Sequence, residues 1–179
     1  MRKIIAGLFI SLDGVAEAPE TWHFPYFNDE MGAAVSAIWE RSDTMLLGRK
    51  TWEGFAAFWP HNPDAEGADV MNGTPKLVVS NTLDTVDAWQ NSTLLEGDPV
   101  KTLPEIKAGP GKDISIGGSL TLTRSLLQAE LVDELHLLIH PIALGSGARL
   151  FDGGEHVPLK LLSSTTFSTG VLHTVYGPA

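Results

Sequence analysis

The chain of 179 residues contains no cysteine. That excludes disulfide frameworks, thiolate metal sites and thiol nucleophiles together, so any redox chemistry must be borrowed from a cofactor. Positive charge is scarce as well: 12 Lys and Arg stand against 22 Asp and Glu, a formal net charge of −10. Attraction to a phosphate backbone depends on clustered Lys and Arg, so this balance argues against nucleic acid as a partner. No apolar run approaches the roughly 20 residues of a membrane-spanning helix, and no membrane association is expected. The basic start and apolar run from Met1 to Ile10 imitate a secretory leader. The run meets Asp13-Gly14 with no small-residue cleavage site, however, and reads as a buried strand in a cytoplasmic protein. Internal repeats, low-complexity tracts and linkers are also lacking. With 43% hydrophobic and 19% charged residues there is enough apolar surface for one core, and a single domain over 1–179 is expected.

Hydrophobic periodicity divides the chain into alternating strands and helices. A strand over Lys3 to Ser11 breaks at Asp13-Gly14 and is followed by a long loop through Pro19, Trp22, His23, Pro25 and Tyr26. Asn28 is placed to cap a helix on which Met31, Val35, Ile38 and Trp39 recur at helical spacing, with Asp29 and Glu30 near its positive end. Thr44 to Leu47 reads as a buried strand ending in Gly48, and Arg49 to Phe55 as a helix. Phe58 to Gly73, rich in Pro, Gly, Asn and Asp, reads as a loop, and Lys76 to Val79 as a strand stopped by Ser80-Asn81. A short strand at Leu94-Leu95, a helix from Pro99 to Lys107, a strand Ile114 to Ile116 meeting Gly117-Gly118, and a helix from Ser119 to Ala129 follow. Leu135 to Ile139 is a further strand, and Lys160 to Thr166 with Val171 to Tyr176 forms a hairpin about Ser168-Thr169-Gly170. The expected fold is α/β, a mixed sheet with helices on both faces and antiparallel strands at the C-terminal end.

Two strand-to-helix junctions, at Gly48 and Gly117, should bring helix N-termini to the carboxyl edge of the sheet, where open α/β sheets bind anions. Gly117-Gly118-Ser119 permits close backbone approach to a pyrophosphate, although a tight turn without ligand explains it equally well. Gly48-Arg49-Lys50-Thr51 is sharper: a guanidinium fork, a second cation and a hydroxyl at a helix start suit a phosphate monoester. Cations at that end are unfavourable unless an anion is present, which weakens the alternative of solvated first-turn residues. Ser80-Asn81-Thr82 ends the next strand at the same edge and offers further polar contacts, or simply a turn.

Ser11-Leu12-Asp13-Gly14, Gly48-Arg49-Lys50-Thr51-Trp52-Glu53, Val79-Ser80-Asn81 and Ile116-Gly117-Gly118 occur in an order that resembles the dihydrofolate-reductase-like superfamily. The stretch from Leu131-Val132-Asp133-Glu134-Leu135 through His140-Pro141 to Leu150-Phe151 is similar to the reductase domain of bacterial riboflavin biosynthesis. The resemblance implies a dihydrofolate-reductase-like three-layer sandwich with a C-terminal antiparallel hairpin, NADPH as cofactor and a homodimer in a stand-alone bacterial branch. It implies that Arg49 and Thr51 hold adenosine-side phosphates and that Ser80 and Asn81 lie near the 2′-phosphate, with Gly48, Lys50 and Thr82 as adjoining cofactor-binding candidates. Gly117, Gly118, Ser119 and Leu120, flanked by Ile116 and Thr121, would cradle the pyrophosphate. The nicotinamide would lie beside the first strand and the turn from Ser11 to Gly14.

Two departures bear on the substrate. Folate reductases carry an acid on the first helix where this chain reads Gly32-Ala33-Ala34-Val35-Ser36, and the riboflavin-type Asp-Pro-x-Leu-x-x-Arg segment is replaced by Gly-Arg-Lys-Thr-Trp. The expected activity is hydride transfer to a small heterocycle, pterin- or diaminopyrimidine-like, or to an imine. A C=N acceptor also needs a proton, for which Asp13, Asp29 and Glu30 are the candidates. Each has an alternative role, Asp13 in a turn and the other two at a helix start. Trp22, Phe24, Tyr26 and Phe27 form either a pocket wall or the packing under a long loop. His136 and His140, four apart on a strand, would face the same side about 13 Å apart, too far to share an ion, and no metal site is expected. The competing functional class is a non-catalytic nucleotide- or heterocycle-binding protein that keeps the reductase fold.

Overall fold

In the computed structural model, residues 1–154 and 156–179 are described. Strand β1 (Ile4–Ser11) sits near the middle of the sheet because both its faces are apolar: Ile4, Ala6, Leu8 and Ile10 enter one core and Phe9 another. It is joined by β2 (Ser42–Gly48), β3 (Lys76–Val79), β4 (Ser92–Leu94), β5 (Asp113–Gly117), β6 (Glu134–His140), β7 (Leu159–Thr166) and β8 (Leu172–Pro178) in the order β4-β3-β2-β5-β1-β6-β8-β7. The strands from β4 to β6 in this order are parallel, while β8 runs antiparallel to β6 and β7 antiparallel to β8.

Helices α1 (Asp29–Arg41), α2 (Arg49–Phe58) and α3 (Ala68–Gly73) cover one face of the sheet. There Trp52, Ala56 and Met71 pack on Met45, Leu47 and Val78, and Met31 on Leu138 and Phe9. Helices α4 (Pro99–Ala108) and α5 (Leu120–Gln128) cover the other, where Leu103, Leu122, Leu126 and Leu127 meet Ile4, Leu46, Ile114 and Ile116. This is the expected three-layer sandwich, closed by the expected C-terminal hairpin. Local chemistry sets the boundaries: the Asn28 side chain accepts from the Met31 amide at 3.0 Å, and the Asp98 side chain from the Val100 amide at 3.0 Å, with Pro99 at the first position of α4. Among the described residues no helix is long and apolar enough to cross a membrane.

The stretch Phe58 to Gly73 departs from the expected loop: it holds a 3₁₀ turn at Trp59–His61 and the helix α3, with Ala68 and Met71 buried. Six residues are too few to display a helical period, and the contacts that stabilise them are distant in sequence. The Asn72 carbonyl accepts from Lys76 Nζ at 3.0 Å and from Asn91 Nδ2 at 2.9 Å, satisfying the helix end, while the Asn72 side chain accepts from Trp89 Nε1 at 2.7 Å. Smaller differences lie at element ends. Helix α2 runs on to Phe58, β2 begins at Ser42, β4 spans Ser92 to Leu94, and the first long loop holds 3₁₀ turns at Pro19–Thr21 and Phe24–Tyr26.

Candidate functional site

The topology opens the sheet at one place. Strand β5 is followed by α5 on one face, whereas its two neighbours, β1 and β2, are followed by α1 and α2 on the other. Adjacent strands whose next helices leave in opposite directions separate at their carboxyl ends, and such switch points are where open α/β sheets take ligands. Here a switch point of this kind falls on each side of β5, and each marks the place where such a crevice is expected. On the β1 side the ladder stops at Gly7 and Gly117, while β1 continues against β6 to Ser11. The backbone edge of β1 beyond Gly7 therefore faces the opening.

The N-termini of α2 and α5 are stitched together over β5. The Gly48 amide donates to Ser119 Oγ at 3.0 Å, and the Ser119 amide donates to Thr51 Oγ1 at 2.9 Å. These two bonds hold Ser119 in the left-handed region, φ 51°, directly after Gly118 at φ 62°. A Cβ on Gly118 would meet the Thr51 side chain at 3.2 and 3.3 Å, so only glycine fits that close passage. A Cβ on Gly117 would meet nothing within 4 Å, which shows open space at the strand end. Neither Gly48 nor Ser119 caps its own helix with a side chain, so first-turn amides of both helices remain to be satisfied from the crevice.

Around this junction Arg49 pairs with Glu53 one turn on, at 3.1 Å, and Lys50 is exposed. The pairing of Gly48 with Val79 sets Ser80 beside the start of α2. Ser80 Oγ accepts from the amides of Thr82 at 3.1 Å and Leu83 at 3.0 Å, shaping a turn on which Asn81 and Thr82 are exposed. Thr121 is exposed on the first turn of α5, and Leu120 packs partly on the core. The Ile116 side chain is in the core, so only its backbone faces the junction. Ser11, buried, turns its hydroxyl away: it donates to Asp13 Oδ1 at 2.6 Å and accepts from the Val15 amide at 2.9 Å.

The candidate acids are not gathered into one constellation. Asp13 accepts from Ser11 and from the amides of Leu144 at 3.0 Å and Gly145 at 2.8 Å, and these bonds, the Ser11 hydroxyl first, hold its carboxyl far below the usual carboxylate range. Gly14, at φ 85°, completes this turn by donating its amide to the Ser11 carbonyl. Arg149 Nε donates to the Asp13 carbonyl at 3.0 Å, and Glu17 accepts from the Ala148 amide at 2.7 Å, so residues 142–150 are fastened to the loop after β1. Glu30 accepts from the Ser168 hydroxyl at 2.6 Å, the Ser168 amide at 2.7 Å and Asn28 Nδ2 at 2.8 Å. The Ser168 hydroxyl leads in lowering its pKa, and the cluster ties α1 to the β7–β8 turn. Asp29 is exposed in the first turn of α1.

The loop aromatics divide: Trp22 and Tyr26 turn inward around His140, while Phe24 and Phe27 are exposed. Sequence spacing did not reveal that His23, on the loop, and His140, at the end of β6, come together in this aromatic packing. His136 lies in a different network: its Nε2 donates to Glu134 at 3.2 Å and its Nδ1 accepts from His173 Nε2 at 3.0 Å, since the ionised Glu134 can only accept. Arg41 leads the groups that hold the Glu134 carboxyl down at about 2. Among the described residues no group of three or more His, Cys, Asp and Glu is placed to hold a metal ion.

Comparison with known proteins gives consistent results. The RibD C-terminal domain family matches residues 2–173. Uncharacterized protein YyaP of Bacillus subtilis (strain 168) is 32% identical over 183 residues, covering 98% of this chain and 94% of the relative. Uncharacterized protein YwjB of the same organism is 26% identical over 182 residues, covering 97% and 98%. Among solved structures, a putative riboflavin biosynthesis protein from Shewanella sp. PV-4 superposes with a TM-score of 0.79 at 23% identity, covering 100% of this chain and 99% of that one. A pyrimidine reductase-like protein from Corynebacterium diphtheriae gives 0.69 at 16% identity, covering 98% and 91%. At these identities the two structures speak for the fold.

Proposed function

Because the chain belongs to the RibD C-terminal domain family, we propose that it is an NADPH-dependent reductase acting on a C=N or related bond of a small heterocycle, pterin- or diaminopyrimidine-like, or of an imine. The observation that carries this reading is the pair of uncapped helix N-termini joined across β5 beside a strand end that a Cβ would fill. One dinucleotide spans such a pair of crevices. Its pyrophosphate would rest on the amides of Gly117 to Thr121, and its 2′-phosphate between Arg49, with Gly48 and Lys50 beside it, and Ser80, Asn81 and Thr82. The nicotinamide would lie along the open edge of β1 near Ser11 and Gly14.

Bound NADPH supplies the hydride, and the protein supplies orientation and exclusion of water. Arg49 is available for this role: its pair with Glu53 is half exposed and worth about 0.3–0.5 kcal/mol, against about 1.5–3 kcal/mol for a charge-assisted contact to phosphate. Thr51 positions the cradle through Ser119. Asp13 and Glu30, ionised and committed to protein donors, shape the two loops that flank the opening, and the proton for a C=N acceptor comes from a single water enclosed with the substrate while bulk water is excluded.

Titration of the protein with NADPH and NADH, followed by quenching of its five tryptophans, tests the reading. Micromolar NADPH binding, discrimination against NADH, and NADPH oxidation with a member of a pterin, diaminopyrimidine and imine panel are the expected results. Binding without turnover across the panel identifies a non-catalytic nucleotide-binding protein, and no binding of either nucleotide removes both.

The same reading includes a cytoplasmic homodimer. Its support is β7, which ends the sheet order, is exposed along nearly its whole length, and carries Leu161 and Leu162 at 53% and 52% exposure. A long edge strand with exposed leucines is an aggregation liability unless a partner covers it. Light scattering should give twice the chain mass, and Leu161→Asp should shift the protein to monomer; a monomeric parent protein overturns the dimer.

A further inference from the structure

At the end of β6 the His140 ring is wholly buried and four rings stand across it, with interplanar angles between 84° and 89°: Phe9 at 5.8 Å between centroids, Trp22 at 5.1 Å, Tyr26 at 5.6 Å and His23 at 6.1 Å. Three of the four belong to the loop between β1 and α1. His23 lies flat on Phe9, centroids 4.4 Å apart at 11°, and is 7% exposed. The enclosure is therefore a box whose floor is β1 and β6 and whose cover is the loop.

Both imidazoles in the box are incompletely bonded. His140 Nδ1 donates to the Leu138 carbonyl at 2.8 Å, which leaves Nε2 as the unprotonated nitrogen, and that atom has no hydrogen-bond partner among the described residues. His23 Nδ1 has none either. Buried polar atoms without partners are uncommon and call for a reason. A neutral ring tolerates the situation, whereas an imidazolium at His140 is opposed by burial among uncharged rings more strongly than the Leu138 and Ile10 carbonyls favour it.

The surroundings offer no compensating charge. Around the box β1 contributes Phe9, α1 contributes Met31 and Ala34, β6 contributes Leu138, and the β7–β8 turn contributes Phe167 and Val171. Asp13 is held by Leu144 and Gly145, and Glu30 by Ser168, while Asp29 is exposed on α1. Farther along the sheet His136 and His173 bond to each other and to Glu134. Glu20, exposed on the loop's 3₁₀ turn, is the carboxylate that bears on His23, and the charge of either histidine opposes that of the other.

We infer that this box is the latch of the loop after β1, and that acid opens it: a proton taken up by His140 or His23 releases the cover of the loop, residues 17–28, from β1 and β6. Burial lowers the proton affinity of both rings from the ordinary 6.5. The closed loop is thus fully favoured above about pH 6.5 and loses ground as pH falls toward the depressed values, the direction in which histidine clusters act as acid-sensitive switches. Release would loosen the face of β1 that adjoins the edge assigned to the nicotinamide. That consequence rests on the reductase reading, whereas the release itself does not.

The test is a brief proteolysis pulse, corrected with an unstructured peptide for the protease's own pH dependence, read beside the imidazole resonances of the same protein. Cleavage within residues 17–28 should be about tenfold faster near pH 5.5 than near pH 7.5, and the His23 and His140 resonances should move over the same interval. His140→Phe, which keeps a ring in the box and removes its titration, should reduce the rise, and His140→Phe combined with His23→Phe should abolish it. His23→Phe alone provides the single-site comparison from the loop side if the first variant does not fold. Cleavage independent of pH in the parent protein, a rise undiminished in either single variant and in the double variant, or a His140 that titrates at or above about 6.5 overturns the latch.

Discussion

Gly117→Val should weaken NADPH binding about 100-fold or more while the protein folds as before. The added side chain starts in open space, since a Cβ at this position meets nothing within 4 Å, and Gly117 is not among the glycines at positive φ. Stability should therefore stay level or rise by about 0.4–1 kcal/mol through the loss of glycine's freedom in the unfolded chain. The same side chain would occupy the place proposed for the pyrophosphate's approach to the backbone. Losing two charge-assisted amide contacts of about 1.5–3 kcal/mol each corresponds to two decades of affinity or more. Equilibrium titration together with a urea melt separates the outcomes. Unchanged affinity in a stable variant removes the phosphate cradle from the end of β5.

Arg49→Ala should weaken NADPH about 10- to 150-fold and leave NADH nearly unaffected. The difference is the worth of a charge-assisted contact to the additional phosphate, about 1.5–3 kcal/mol. Only a small part of it is offset by the Glu53 pair that the arginine surrenders on binding, because both partners are about 40% exposed. Parallel losses for the two nucleotides would place Arg49 on a phosphate they share, or on none.

What was legible in the sequence was what short-range chemistry decides. The junction at Gly48-Arg49, the turn at Gly117-Gly118 and the hairpin about Ser168-Thr169-Gly170 are set by residues within a few positions of one another, and each lies where turn and capping rules place it. The role of Thr51 was not legible, because its hydroxyl is engaged by the amide of Ser119, a partner from another βα unit. The same holds for Asp13: as a turn residue it was readable, but its bonds to Leu144 and Gly145 join loops at opposite ends of the chain. Helix α3 escaped for the related reason that its carbonyls are satisfied by Lys76 and Asn91 from outside the segment. The histidine box likewise needs β1, β6 and the first loop to be assembled before its members meet.

The position of β1 also constrains how the molecule comes into being. This strand is synthesised before the other strands, yet its ladder partners are Ile114 to Gly117 and Glu134 to His140, which are made much later. Until those segments emerge, a stretch as apolar as Ile4 to Ile10 has no sheet to join. The strands synthesised next, β2 and β3, can pair with each other, but their connection to β1 runs through β5. Folding is therefore dominated by contacts of long sequence separation, which makes it slow relative to helical proteins of similar size and leaves the nascent β1 segment dependent on protection from aggregation. A chain cut short before β6 lacks the strand that covers the far edge of β1, so prematurely terminated products fail as a whole and do not persist as a folded N-terminal half.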